Sequence, residues 1–150
     1  MTVSGTEYGS ILLVEDDDDD LELTLRALAR EKLDKSCAVV RDGAEALDYL
    51  FARNAYKDRD PGAIPAVVML DLMLPKISGL DVLRQIRDNE ITNLLPVVVL
   101  TSSNEDRDVI ESYGLGANSY VRKPVDFKEF SAAVSLLGLY WLTRNIRPPT

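Results

Sequence analysis

Acidic side chains crowd one stretch of this sequence, Glu15-Asp16-Asp17-Asp18-Asp19-Asp20, directly after the apolar run Ile11–Val14. A further carboxylate, Asp71, follows the apolar run Ala66–Leu70 in Met69-Leu70-Asp71-Leu72-Met73-Leu74-Pro75. Thr101 and Ser102 follow Val97–Leu100, and Lys123-Pro124 follows Ser119–Val121. Brought together, these residues make a group of carboxylates, a hydroxyl and an ammonium. Carboxylates held so close repel one another unless they are paired. A hard divalent cation relieves that repulsion, and a small oxygen-lined site that retains waters suits Mg²⁺. Phosphoryl transfer is the natural chemistry of such a site. Asp71 is an oxygen nucleophile of the kind that forms aspartyl phosphates. Mg²⁺ would neutralise one equatorial oxygen, the Lys123 ammonium a second, and the Thr101 hydroxyl with nearby backbone N–H groups a third.

Something must place those segments side by side. Five short apolar runs punctuate the chain: Ile11–Val14, Cys37–Val40, Ala66–Leu70, Val97–Leu100 and Ser119–Val121. Most are continuous rather than alternating, as parallel strands covered on both faces are. Helix-period stripes lie between them: Leu21, Leu25 and Leu28; Leu47, Leu50 and Phe51; Leu80, Leu83 and Ile86; Val109, Ile110 and Tyr113. Asn104 or Ser103 is the expected N-cap of the fourth helix, and Asp126 of a fifth that ends before Pro148. Gly43 and Gly79 are expected to open the second and third helices. Strand–helix alternation of this kind predicts an α/β fold, an open five-stranded parallel sheet with helices on both faces. In such sheets the active crevice lies at the carboxyl ends of the strands, where the acidic groups, Thr101 and Lys123 would converge. The segment 54–65 is the longest interruption and is expected to be the mobile surface loop.

The chain of 150 residues is one domain by length, expected as a single folded unit over 10–144 with a flexible N-terminus 1–9 and a C-terminal tail 145–150. No second domain is expected after Arg147. Seventeen Lys and Arg against 25 Asp and Glu give a net charge of −8, which argues against a phosphate-backbone binder and so against nucleic acid. With no histidine in the sequence, a Ser-His-Asp triad, a His-ligated metal and an internal phosphohistidine are all excluded. A single cysteine, Cys37, excludes an internal disulfide and fits a reducing compartment. Neither a signal core nor a bilayer-spanning run is present, so a cytoplasmic protein with no membrane partner is expected.

Four fragments in order, Leu13-Val14-Glu15-Asp16, Leu70-Asp71-Leu72-Met73-Leu74-Pro75-Lys76-Ile77-Ser78-Gly79, Val99-Leu100-Thr101-Ser102 and Tyr120-Val121-Arg122-Lys123-Pro124, resemble the receiver domain of bacterial two-component response regulators. The resemblance covers roughly 11–141. It implies a flavodoxin-like sheet in the order 2-1-3-4-5, with Asp71 as phosphoacceptor. Asp16 and Asp71 would ligate Mg²⁺ directly, Glu15 through water, and Met73 through its backbone carbonyl. Thr101, Ser102, Lys123 and Tyr120 are the implied phosphoryl-binding and switch residues, and the Lys123–Pro124 peptide is expected to be cis. The phosphoryl donor is then a phosphohistidine on a sensor histidine kinase, which agrees with the missing histidine. The Glu-Asp pair, the long loop and the tail Leu139-Tyr140-Trp141-Leu142 resemble the small regulators paired with phytochrome-type kinases, so a bacteriophytochrome is the expected donor. Output would pass through a conformational switch and partner binding, with no DNA-binding output domain and no enzymatic turnover beyond self-phosphorylation and slow autodephosphorylation.

Other readings fit less well. A calcium loop starting at Asp16 would need Gly at its sixth position and Glu at its twelfth, which are Leu21 and Ala27. An aspartate-nucleophile phosphatase would need a second carboxylate where Met73 stands. A flavin carrier would need a phosphate loop where the aspartates repel phosphate. A binding scaffold, a receiver fold that never takes up phosphate, is the remaining alternative, and the presence of every expected site residue weighs against it. The aspartates after Asp16 favour the positive start of the first helix, and one of them is expected to line the site. Cys37 is expected to be inert packing. In the final helix, Phe127, Phe130, Val134, Leu137 and Trp141 can face the sheet. Leu136, Leu139 and Tyr140 occupy an adjacent face, which predicts a homodimer through the fifth helix.

Overall fold

The computed structural model describes residues 10–124 and 126–149; the expected N-terminal segment 1–9 lies outside the described residues. Five strands, β1 (Ile11–Val14), β2 (Cys37–Val40), β3 (Val67–Leu70), β4 (Val97–Thr101) and β5 (Ser119–Arg122), alternate with five α-helices. The helices are α1 (Asp18–Arg30), α2 (Gly43–Leu50), α3 (Gly79–Asp88), α4 (Asp106–Gly114) and α5 (Phe127–Leu139). A π-helical turn, Tyr140–Arg144, prolongs α5. All strand pairs are parallel, in the order β2-β1-β3-β4-β5.

Successive strand residues face opposite sides, and the two sides fill two cores. Ile11, Leu13, Val67, Met69, Val98 and Leu100 pack with Ala27 and Leu28 of α1 and Phe130 and Val134 of α5. Leu12, Val14, Val68, Leu70, Val97 and Val99 pack with Leu47 and Leu50 of α2 and Val82, Leu83 and Ile86 of α3. The strands β1, β3 and β4 are therefore buried throughout, while the edge strands β2 and β5 are only partly covered. At about 1.5–3 kcal/mol for each large side chain removed from water, these two cores fix where each strand ends.

Helix starts follow local chemistry. Asp17 caps α1 by accepting from Asp20 N, with Asp18, Asp19 and Asp20 in the first turn. Asp42, Ser78 and Asp126 cap α2, α3 and α5 in the same manner. For α4 the expectation fails: Glu105 stands at the N-cap without a side-chain bond, and the Ser103 hydroxyl, two residues earlier, donates to Asp108 at 2.5 Å and accepts from Glu105 N at 3.4 Å. The expected α4 stripe is also turned outward, with Ile110 and Tyr113 exposed and Ser112 buried. On α5, Phe127 lies in the first turn and is exposed rather than facing the sheet.

The segment 54–65 is anchored. It forms a short turn at Asn54–Tyr56, and Tyr56 Oη donates to Glu45 at 2.6 Å. Arg59 is buried, donates to the carbonyl of Tyr49 at 2.6 Å and to that of Ala63, and lies over the Tyr49 ring at 4.2 Å. Among the described residues no helix is long and apolar enough to cross a membrane.

Candidate functional site

The carboxyl ends of β1, β3, β4 and β5 bring Glu15, Asp71, Thr101 and Lys123 to one place. Asp71 is buried, and each of its oxygens is occupied. Oδ1 accepts from the Thr101 hydroxyl at 2.9 Å and from Met73 N at 3.1 Å. Oδ2 accepts from Lys123 Nζ at 2.9 Å. The same ammonium donates to Glu15 Oε1 at 2.6 Å and to Asp20 Oδ2 at 2.9 Å. An ammonium has three hydrogens, and here all three are engaged. Only 7% of the Lys123 side chain and 2% of the Glu15 side chain are exposed.

Burial in this cluster shifts both groups. Burial pushes the Glu15 carboxyl up to about 7; the Lys123 ammonium pulls it back down, and the Asp71 charge adds to the rise. Burial alone would lower the Lys123 pKa. Hydrogen bonds to Glu15 and Asp20 and the charge of Asp71 outweigh it, so the ammonium is held above the ordinary lysine range.

A glycine sets the position of the phosphoacceptor loop. A Cβ on Gly79 would lie 2.3 Å from the carbonyl oxygen of Asp71 and 2.5 Å from Leu72 Cα, so only glycine lets α3 start this close to the end of β3. Gly79 N donates to Leu72 O at 3.0 Å, which ties the two segments together.

The donor set fits a hard divalent cation. Glu15, Asp16 and Asp71 each offer a carboxylate oxygen, and the three oxygens lie within 4.8 Å of one another. Asp16 is exposed, which leaves solvent-side positions for the waters such an ion keeps. Its loop is braced by Arg41, whose Nη2 donates to Asp16 O at 3.1 Å and to the Asp18 carboxylate.

Not every expected residue reaches the site. Ser102 is exposed, whereas Ser103 takes part in the loop's bonding. Its carbonyl accepts from Tyr120 Oη at 3.2 Å and from Arg122 Nε at 3.4 Å. Tyr120 is half-buried, with its ring against the α2–α3 core. The Met73 side chain is 65% exposed. The Lys123–Pro124 peptide is trans, since no peptide among the described residues is cis. Lys123 N already donates to Thr101 O at 2.8 Å, and its side chain reaches all three carboxylates from that backbone. The trans form is also the intrinsically favoured one, by about 0.5–1 kcal/mol. Of the expected dimer residues, Leu136 and Tyr140 are exposed and Leu139 is half-buried.

Two contributors were not singled out from the sequence. Asp20 is the one of four consecutive aspartates that lines the site, and the signal for it is its place three residues after the cap Asp17. Nothing in the sequence marks Arg41 as the brace of the Asp16 loop.

Comparison with known proteins bears on this arrangement. The model of the response regulator receiver domain matches residues 11–135. Response regulator Rcp1 of Synechocystis sp. is 36% identical over 132 residues, covering 88% of each chain. The crystal structure of its Mn(2+)-bound form superposes with a TM-score of 0.84 over 93% of this chain and 98% of that one, at 35% identity. The phosphorylated cyanobacterial phytochrome response regulator RcpA gives a TM-score of 0.85 at 34% identity, over 93% and 97% of the two chains. The bacteriophytochrome response regulator RtBRR is 55% identical, with a TM-score of 0.73 over 93% of this chain and 83% of that one.

Proposed function

The chain belongs to the response regulator receiver domain family, and from that premise we propose that it accepts a phosphoryl group from a histidine kinase onto Asp71. The observation that supports this reading is the Asp71 carboxylate held between the Thr101 hydroxyl and the Lys123 ammonium, beside Glu15 and Asp16. A carboxylate oxygen forms the O–P bond as the P–N bond of the donor's phosphohistidine breaks, and the imidazole leaves with the kinase. Lys123 neutralises one phosphoryl oxygen. The Thr101 hydroxyl, now donating to Asp71, turns to a second, and backbone N–H groups after β3 take a third. Glu15, Asp16 and Asp71, with the Met73 carbonyl, would hold Mg²⁺, which supplies charge neutralisation at the transferring group. The receiving unit is residues 10–144.

Thr101 and Tyr120 form the switch in this reading. Thr101 already reaches Asp71, and Tyr120 bonds the Ser103 carbonyl two residues further on. A phosphoryl group that holds Thr101 stabilises this pair by its differential interaction with the two states, and so biases α4, β5 and α5. Beside Asp71, Met73 offers no polar atom in its side chain to orient an attacking water, so autodephosphorylation is slow. The phytochrome-linked names of RcpA and RtBRR support a bacteriophytochrome as donor, and the protein works in the cytoplasm with that kinase. Leu136 and Leu139 on α5, with Tyr140 of the π-helical turn that prolongs it, form the homodimer face; polar replacement of the three converts the dimer to a monomer by mass in solution.

The deciding experiment is intact-mass measurement after incubation with Mg²⁺ and acetyl phosphate. Wild type gains one phosphoryl group and Asp71→Asn gains none. If wild type stays unmodified with acetyl phosphate and with phosphorylated bacteriophytochrome kinases, the chain is a receiver-fold binding scaffold instead.

A further inference from the structure

The three carboxylates on Lys123 do not have the same future once a divalent cation is present. Glu15 and Asp71 belong to the candidate metal donors, and Asp20 does not. Asp20 sits in the first turn of α1, partly exposed, with its Oδ2 2.9 Å from Nζ. We infer that Asp20 is a positioning residue that takes the Lys123 ammonium as Glu15 and Asp71 are committed to the cation, and so sets the affinity of the site for divalent ions. This rests on the metal-dependent reading above.

The argument is one of competition. The ammonium bonds Glu15 Oε1 and Asp71 Oδ2, two of the groups a cation would need. Freeing them leaves a mostly buried ammonium that must keep a hydrogen-bonded counter-charge, because an unpaired buried charge is costly. Asp20 is already bonded to it and is fixed on a capped helix start, so the ammonium can stay in the site without holding the metal ligands. Without Asp20, Lys123 has only the ligands themselves to bind. The loss of one negative charge acts in the same direction, so both effects weaken cation binding. Asp19 separates them: it is the neighbouring first-turn carboxylate, exposed, and makes no contact with Lys123.

The test is Mn²⁺ and Mg²⁺ binding to the full chain by calorimetry and by the Mn²⁺ magnetic resonance signal. Partners that orient metal ligands typically account for about 10–100-fold in affinity, so Asp20→Asn and Asp20→Ala are expected to weaken binding by at least about tenfold. Asp19→Asn should change it by less than about threefold, as screened surface charges do. In a Lys123→Met background, Asp20→Asn should have no more effect than Asp19→Asn, because Asp20 acts through the ammonium. Equal effects of Asp20→Asn and Asp19→Asn, or an undiminished Asp20→Asn effect without Lys123, would overturn the inference. A wild type that binds neither ion would overturn the metal-dependent reading itself. Asp20→Asn retains an acceptor oxygen, and urea midpoints within error of wild type separate lost binding from lost folding.

Discussion

Replacing Lys123 by Met should destabilise the metal-free protein in a way that depends on pH and is repaired by a divalent cation. The methionine keeps the side chain's reach and removes its charge. What remains is Glu15, 2% exposed, facing Asp71, 7% exposed, with no cation between them. At an effective dielectric constant near 20, each ammonium–carboxylate contact of this kind has a Coulomb energy of about 5–6 kcal/mol before desolvation is subtracted. Breaking a buried pair by removing one partner costs about 3–5 kcal/mol net. Asp71 keeps its bonds from Thr101 and Met73 N, and Asp20 is partly solvated, so the lower end applies: about 3 kcal/mol at pH 8.

Linkage fixes the sign of the pH dependence. The Glu15 carboxyl is raised by burial to about 7 in the folded wild type, well above its value in the unfolded chain. Between those two values the folded state binds more protons, so stability falls as pH rises and then levels off above 7. In the variant the lowering pull of Lys123 is gone and the folded pKa lies higher still. Its stability must keep falling above pH 7, where wild type has levelled off. At pH 5 Glu15 is protonated in both folded proteins, so the gap there should be smaller than at pH 8 by up to about 1.4 kcal/mol, the most that one group can add between pH 7 and 8. Urea unfolding followed by far-ultraviolet circular dichroism from pH 5 to 8 measures the gap. Saturating Mg²⁺ should narrow it at pH 8, since a ligand that binds only the folded state stabilises it in proportion to the logarithm of its occupancy ratio. The same loss of stability at pH 5 and pH 8, with no recovery in Mg²⁺, would refute this electrostatic account of the site.

Gly79→Ala forces a Cβ against the backbone of Asp71 and Leu72. It should lower stability by about 1–3 kcal/mol and slow phosphorylation by acetyl phosphate, and an unchanged urea midpoint would contradict it. The Cys37 thiol is pushed up to about 12 by burial and then by the Asp34 carboxylate. It should react with a disulfide reagent at pH 8 only after unfolding. Because the unfolded chain loses this proton at lower pH than the folded one, wild type should lose stability relative to Cys37→Ala as pH rises from about 9, by about 1.4 kcal/mol per pH unit at most. Arg59→Ala removes the guanidinium that holds the 54–65 segment to Tyr49. It should make that segment the first site of limited proteolysis, while Asp71 phosphorylation continues.

The sheet was legible because burial on both faces leaves no alternation to read: β1, β3 and β4 show as plain apolar runs and are buried along their whole length. The site followed from them, since a residue placed just past such a run has nowhere to go but the strand end. That ground groups Asp71 and Thr101 with Lys123 past β5, and the resemblance of the four fragments to receiver domains adds the switch role of Thr101. What escaped was set by side chains competing for one another. Ser103 is a capping residue by type, but α4 starts further on, with Glu105 at its N-cap. A stripe of Val109, Ile110 and Tyr113 has helical spacing, yet spacing does not say which way α4 faces, and Ile110 and Tyr113 point to solvent. The 54–65 segment has a loop's composition, and one buried arginine on a tyrosine ring is enough to pin it. Asp20 is indistinguishable by type from Asp17, Asp18 and Asp19; only the cap at Asp17 fixes the helical phase that turns it toward Lys123.

Phase and register together explain why stability and signalling draw on the same side chain. Lys123 neutralises three carboxylates that the fold places together. Each of its hydrogens is committed, so a phosphoryl oxygen can gain the ammonium only if a carboxylate releases it. On the proposed metal-dependent reading, a divalent cation held by Glu15 and Asp71 would relieve their hold on the ammonium and leave it for a phosphoryl oxygen on Asp71. Cation binding and phosphoryl binding would then be positively coupled, each strengthening the other. On the function proposed above, the charges at these strand ends would make phosphoryl binding depend on the ion.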